Sequence, residues 1–496
     1  MFHIRTSKTG SGKTAVQILR YEKRKLVIVK HIGSANNRKE VQRLKHNANN
    51  WIEETTRQQS LFPQAVELPV VQLNQLQYVG FRYGLLYESL YEVFKRFNFH
   101  WLRNKLLLDL VIARIAQPSS KLRSIEFLKE FFGVEHGRRE LYRQIPIILK
   151  TRNTIESRIL EIAKKEFAFN FSVVFYDVTT LYFESFQEDE LRRSGFSKDN
   201  KFTQPQILLG LLVSGEGFPV GYQIFEGKKF EGHTLIPIIL RFKRKHKIER
   251  LTVVADAAMI SIENIKALTK VHLNYIVGAR AANLPMKTIE EVSRRISGHD
   301  GATIRMQTNY GDLICEFSQK RHTKDKREME KQITKAEKLL KNPGNIKRTK
   351  FISSEGQVYR LNASLIEKTK SLLGIKGYYT NLTTPEVNDQ TVIEHYHNLW
   401  HVEQAFRISK SDLLIRPMFH FKQQMIETHI LICFMALAVC KYMELKTDRS
   451  IKSNLKLLKS VTDAKLVNTL SGEQFILRSP INDEIREVLK QLEIFC

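Results

Sequence analysis

The stretch VVFYDVTTLYFES (173–185) decides how this chain folds: a run of Val, Phe, Tyr, Thr and Leu interrupted by one carboxylate, Asp177. That is the pattern of a buried strand carrying a single charged group. A second apolar run, LTVVADAAMIS (251–261), ends at Asp256, and YHNLWHVEQAFRISK (396–410) carries Glu403 in a polar segment with helical spacing. The chain thus offers two strand carboxylates followed by one helix carboxylate.

A lone aspartate at a strand end is ordinarily a turn or helix-cap residue. Three carboxylates in this order are what an RNase H-like nuclease requires. Phosphodiester cleavage by two divalent ions about 3.5–4 Å apart needs hard oxygen ligands that bridge and flank them. Mg²⁺ keeps several of its waters, so three carboxylates suffice. Asp177, Asp256 and Glu403 are therefore the expected catalytic and metal-binding residues, holding two Mg²⁺ per site with Mn²⁺ as a substitute.

Composition agrees with a polyanionic partner. The 496 residues carry 79 Lys and Arg against 52 Asp and Glu, a net charge of +27, which favours nucleic acid through counterion release. A membrane surface ranks second. MFHIRTSKTGSGK at the N-terminus has no apolar core of a signal peptide, so no secretion is expected. ILICFMALAVC (430–440) is shorter than the roughly 20 residues that span a bilayer and reads as a buried helix. Cys315, Cys433, Cys440 and Cys496 show no C-x-x-C spacing, which argues against a zinc site or disulfide framework and fits a reducing cytoplasm. A cytoplasmic, nucleoid-associated bacterial protein is the expectation.

The chain is too long for one core and should divide into about three or four domains. AVQILRY and KLVIVKHIG, separated by a charged turn, predict a small sheet followed by a basic helix near 38–58, an N-terminal α+β accessory domain over 1–70. Residues 74–170 read as helical, with Pro118 as a stop and Ser119 and Ser120 as candidate caps. Its Arg114, Lys121, Arg123, Arg138, Arg139 and Arg143 suit either a helix-turn-helix DNA-binding domain or a bundle with a solvated basic face. Residues 171–280 alternate strands and helices, with separate strands read for SVVFYDV and TLYFES, and form the first part of an α/β core. Residues 281–375 break that rhythm and read as an insertion. Residues 376–415 return to the core through KGYYTNL and a helix over 388–412, and 416–496 read as a C-terminal helical region. On that helix Tyr396, Glu403 and Lys410 share a face, with Arg407 one turn after Glu403, while Leu399, Val402 and Phe406 pack inward.

With these residues placed, the chain resembles the DDE transposases of bacterial insertion sequences, in the IS-four superfamily and closest to its IS-sixteen-thirty-four branch. The carriers are YDVTTLYFES, G-x-S-K-D at 195–199, FEGHTLIPII (230–239), VADAAMIS (254–261) and RPMFHF (416–421). The resemblance implies an α/β RNase H-like catalytic core with an inserted β-rich domain, plus N-terminal accessory and helical DNA-binding regions. It implies that Tyr396 and Lys410 contact phosphates of the element ends. It further implies double-stranded DNA as partner, both inverted-repeat ends and target, and a homodimeric synaptic complex away from any membrane.

Two departures stand out. The superfamily pattern places Arg three residues after the Tyr, where this chain has Leu399, and Arg407 is the candidate to replace it. Trp51, Trp101 and Trp400 all lie outside 281–375, so base stacking there would fall to a residue such as Tyr310. Four rival readings complete the picture. GSGKT (10–14) mimics a phosphate-binding loop, but the required first Gly is Ser7, so a hairpin tip is expected. His397 and His401 have a zinc-helix spacing without H-E-x-x-H, so phosphate- or solvent-facing roles are expected. A metal-dependent nuclease without strand transfer uses the same first step and is not separable by sequence, whereas a silent DNA-binding repressor is disfavoured by the presence of all three carboxylates.

Overall fold

In the computed structural model, which describes residues 2–10, 12–22, 25–56, 73–184, 187–195, 203–259, 261–341, 349–355 and 358–494, the apolar runs before Asp177 and Asp256 are neighbouring strands of one sheet. The chain forms two compact units. The larger comprises Ser89–Lys129, Val134–Leu455 and Val488–Cys496, and the smaller Met1–Glu88, Glu130–Gly133 and Lys456–Glu487.

The larger unit is built on β1 (Val173–Tyr182), β2 (Gln206–Val213) and β3 (Pro219–Glu226), an antiparallel meander. TLYFES does not start a second strand. Thr179 and Thr180 continue the pairing with Leu209 and Leu208, as their β-branched side chains favour. Helix α1 (Leu235–His246) leads to β4 (Thr252–Ala255), and α2 (Ile262–Lys270) to β5 (Asn274–Ala279). Both strands run parallel to β1, giving the order β3-β2-β1-β4-β5 of an RNase H-like α/β core.

The stretch 281–375, expected as an inserted β-rich domain, is divided differently. Strands β6 (Thr303–Thr308) and β7 (Gly311–Phe317) join β8 (Ile375–Thr380) beside β5, so the full order is β6-β7-β8-β5-β4-β1-β2-β3. The buried alternation of DLICEF pairs with KGYYT, Cys315 opposite Gly377, and this non-local zipper overrides the local reading. The remainder is the helix Met286–Ile296, the long helix α3 (Gln319–Lys341), a hairpin of Ile352–Glu355 with Val358–Leu361, and the helix Ala363–Lys370. Met329, Ala336, Phe351 and Leu373 form a small core beneath α3.

The helix expected over 388–412 is interrupted. It is α4 (Asp389–His397), α5 (Trp400–Arg407) and a π-helical turn Ile408–Asp412. Leu399, buried to 7%, pins the junction. Val402 and Phe406 are buried as expected. Helix α6 (Gln423–Thr447) contains the 430–440 run. It is long and apolar enough to cross a membrane by composition, yet 89% of its apolar window is buried inside the protein, which makes it a core helix. Ser120 caps the helix Lys121–Phe127 by accepting from Arg123 N at 3.2 Å. Arg114 and Lys121 are only 5% and 4% exposed, so of the six basic residues singled out in 74–170 the exposed ones are Arg123, Arg138, Arg139 and Arg143.

The smaller unit contains two antiparallel sheets. One is Phe2–Lys8, Thr14–Glu22 and Lys25–Ala35, covered by the helix Arg38–Thr56. Lys8 pairs with Thr14 and Thr9 N donates to Lys13 O at 2.8 Å, so the described residues of GSGKT close a hairpin, Ser11 lying outside them. The other pairs Leu76–Arg82 with Asp463–Asn468 and Gln474–Arg478. The expected helical character of 74–170 and 416–496 therefore gives way at these strands. Buried Asp463 is held there by Arg478 at 2.7 Å and Arg82 at 3.4 Å.

Candidate active site

The core topology brings two carboxylates to one edge. In the parallel β1–β4 ladder the last pair is Tyr176 with Ala255, so Asp177 and Asp256 are the next residue on each chain. Neighbouring strands lie about 4.8 Å apart, which sets the two aspartate backbones at that scale. Each side chain is fixed by the amide that follows it: Val178 N donates to Asp177 Oδ1 at 2.7 Å, and Ala257 N to Asp256 Oδ1 at 2.6 Å. Asp177 is half-buried and Asp256 exposed.

Glu403 arrives from the first turn of α5, whose buried Val402, Ala405 and Phe406 anchor it against β1 and β2. It is exposed on the opposite face. Asp177, Thr179, Thr180, Glu403, Arg407, Lys410, Ser411 and Arg416 line an open cleft of about 360 Å³. The expected residues Asp177, Glu403, Arg407 and Lys410 therefore share one concavity. Lys410 reaches it from the π-helical turn, which re-aims the chain after Arg407.

Tyr396 does something other than face the cleft. It is 7% exposed, and its hydroxyl donates to Asp256 Oδ1 at 3.3 Å. Burial, then the Asp256 carboxylate beside it, push its pKa up, so the phenol stays a donor. Gly278 on β5 makes the room, since a Cβ there would fall 2.4 Å from the Tyr396 hydroxyl. Because of the break at Leu399, Tyr396 and Glu403 do not lie on one helix face.

A set of groups from the β7–β8 extension completes this side, and sequence reasoning missed it. Lys376 Nζ on β8 stands 4.6 Å from the Tyr396 ring centroid and 5.5 Å from that of Tyr378. Burial lowers its pKa, helped by the charge of Arg321 and opposed by Glu316, Asp256 and Glu403. Tyr378 donates to Glu316, which also lies 3.2 Å from His397 Nε2. The available signal is Lys376 itself, one cation inside the apolar strand IKGYYT, where lysine seldom sits without a reason.

The histidines disperse. His397 is taken up by Glu316 and Tyr378, whereas His401 stacks on Trp400 at 3.9 Å. Among the described residues no three His, Cys, Asp or Glu side chains are drawn together as a chelating group. The donor set nevertheless fits a hydrated hard cation: all three candidates are carboxylates, two of them on a cleft roomy enough for bound water. Of the G-x-S-K-D stretch, 196–199 lie outside the described residues.

The family model described as the transposase DDE domain matches residues 169–439, a span containing Asp177, Asp256, Glu403 and the whole eight-stranded sheet. No curated protein matches the chain. Among solved structures, the cryo-EM synaptic complex of piggyBac transposase with hairpin DNA is similar at 9% identity and a TM-score of 0.35, over 58% of this chain and 51% of that one. The chain thus spans about half the length of that protein.

Proposed function

The chain belongs to the transposase DDE domain family, and from that premise we propose that it is a DNA transposase of an insertion sequence, in the IS-four superfamily. The observation that supports the site assignment is the register of β1 and β4, which puts Asp177 and Asp256 at one level on neighbouring strands, with Glu403 lining the same cleft as Asp177. Two divalent ions held by these carboxylates, Mg²⁺ by preference, would supply an activated water and stabilise the leaving 3′-oxygen.

In this reading Asp177, fixed by Val178 N, and Asp256, fixed by Ala257 N and Tyr396, would present carboxylate oxygens to the ions. Arg407, Lys410 and Arg416 in the cleft neutralise phosphate charge, with Arg407 standing in for the Arg that Leu399 replaces. Water attacks the phosphorus at each element end, the P–O3′ bond breaks, and the strand leaves with a 3′-hydroxyl. That hydroxyl then attacks a target phosphodiester, forming a new P–O bond and displacing the target's own 3′-oxygen. Catalysis of both steps is mainly positioning and charge stabilisation. A homodimer holding both ends together belongs to the same proposal.

The test is a cleavage and joining assay with Mg²⁺ or Mn²⁺ on labelled DNA bearing the inverted repeats that flank the coding region. End-specific nicks together with joined products support the transposase. Cleavage without joining replaces it with a nuclease, and binding with neither replaces it with a repressor.

A further inference from the structure

Resting on the DNA reading above, we propose that Lys376 and Arg321 form a clamp for a DNA backbone phosphate on the Asp256 side of the site, apart from the Arg407–Lys410 cleft. Lys376 issues from β8, two residues before Tyr378, and its ammonium lies over the ring of Tyr396, whose hydroxyl reaches Asp256. Among the described residues no carboxylate stands within ion-pair distance of it. The carboxylate next to it in the sheet, Glu316, is occupied by Tyr378 and His397.

Arg321, in the first turn of α3, converges on the same corner. The start of α3 packs against the start of β8: Arg321 and Ile375 line one hollow, and a Cβ at Gly374 would lie 2.8 Å from His322 Cβ. The Arg321 side chain is 44% exposed, and it pairs with Asp325 at 3.3 Å along its own helix. A lysine ammonium set into a mostly buried strand is costly unless an anion joins it. Arg321 keeps Asp325 as its partner, whereas Glu316 beside Lys376 is taken by Tyr378 and His397, so the anion that would join Lys376 is the one that substrate brings. Lys320, Lys324, Lys326 and Arg327 continue along α3, a surface on which the same DNA strand can run outward.

The test uses the full chain and a labelled duplex containing the inverted repeat, with affinity measured between about 50 and 200 mM salt for wild type, Lys376→Met, Lys376→Arg and Arg321→Gln. Each phosphate that is no longer neutralised should flatten the log–log salt dependence by about 0.9. Lys376→Met and Arg321→Gln should each show that flattening, and Lys376→Arg should restore it. Replacing phosphates one at a time by neutral methylphosphonate should identify a position that weakens wild type but not Lys376→Met. An unchanged slope in both variants, or no such position, overturns the clamp. Arg321→Gln, on an exposed helix face, keeps the test decisive if Lys376→Met fails to fold. Wild type that binds without metal-dependent nicking removes the transposase reading while the slopes still judge the clamp, and wild type that binds no DNA overturns both.

Discussion

Asp177, within β1, and Asp256, just past the end of β4, stand at the same level on neighbouring parallel strands, one residue beyond the shared Tyr176–Ala255 pair. This matched level is a consequence of register, and a slip of one residue would turn one carboxylate to the other face of the sheet. The site is therefore as sensitive to the packing that sets register as to the acids themselves.

Tyr396→Phe should expose how Asp256 is held. Losing the hydroxyl removes the bond to Asp256 Oδ1 and should cost about 1 kcal/mol in denaturant unfolding. DNA affinity should stay unchanged, while the Mg²⁺ concentration for half-maximal cleavage rises severalfold. Unchanged metal dependence would show that Tyr396 does not position the aspartate.

Gly278→Ala should strike the same contact from behind. The new Cβ would meet the Tyr396 hydroxyl at 2.4 Å and Cζ at 3.0 Å, an overpacking that costs about 1–3 kcal/mol. A lowered melting temperature and slower cleavage are expected together. Combining it with Tyr396→Phe should recover part of the stability loss.

The Arg missing at position 399 cannot simply be restored. Leu399 is buried between α4 and α5, so Leu399→Arg would bury an unpaired guanidinium and destabilise the fold by several kcal/mol, on the order of 3–5. Arg407→Ala, exposed on the cleft, should leave the melting temperature in place and weaken binding to element ends. Unimpaired binding would remove Arg407 as the replacement.

Lys121 gives the fold a pH dependence of known sign. Burial, reinforced by Arg114, brings its pKa down to about 7, and its Nζ lies 2.8 Å from His420 Nε2. Between that value and the ordinary lysine range near about 10.4 the unfolded chain binds the extra proton, so stability rises with pH, at most by about 1.4 kcal/mol per unit. Urea unfolding at successive pH values should show this rise in wild type and its loss in Lys121→Met.

Much of the site is legible in the residues because the carriers are local. The apolar runs before Asp177 and Asp256, and the inward stripe of Val402 and Phe406, each reveal their element within a short stretch of chain. The rest depends on distant pairing. Asp312–Phe317 becomes core sheet only because Ile375–Thr380 returns beside it, and Leu76–Arg82 becomes a strand only by pairing with Asp463–Asn468, far along the chain. The seven-residue spacing of Tyr396, Glu403 and Lys410 suggests one helical face, but the break at Leu399 and the π-turn at Ile408 send Tyr396 to Asp256 and Lys410 to the cleft. Lys376 is hard to single out locally because its neighbours in space come from α3, α4 and β7 rather than from its own strand.

The most direct measurement is the Mg²⁺-dependent cleavage rate on end DNA of Asp177→Asn, Asp256→Asn and Glu403→Gln, each beside its DNA affinity and melting temperature. One metal site built from three carboxylates predicts that every variant loses at least about 100-fold in rate, on the order of 3 kcal/mol of transition-state stabilisation. Affinity and folding should stay close to wild type. A variant that cleaves at the wild-type rate would contradict the triad, and the residue concerned would have to be replaced by another carboxylate near the cleft.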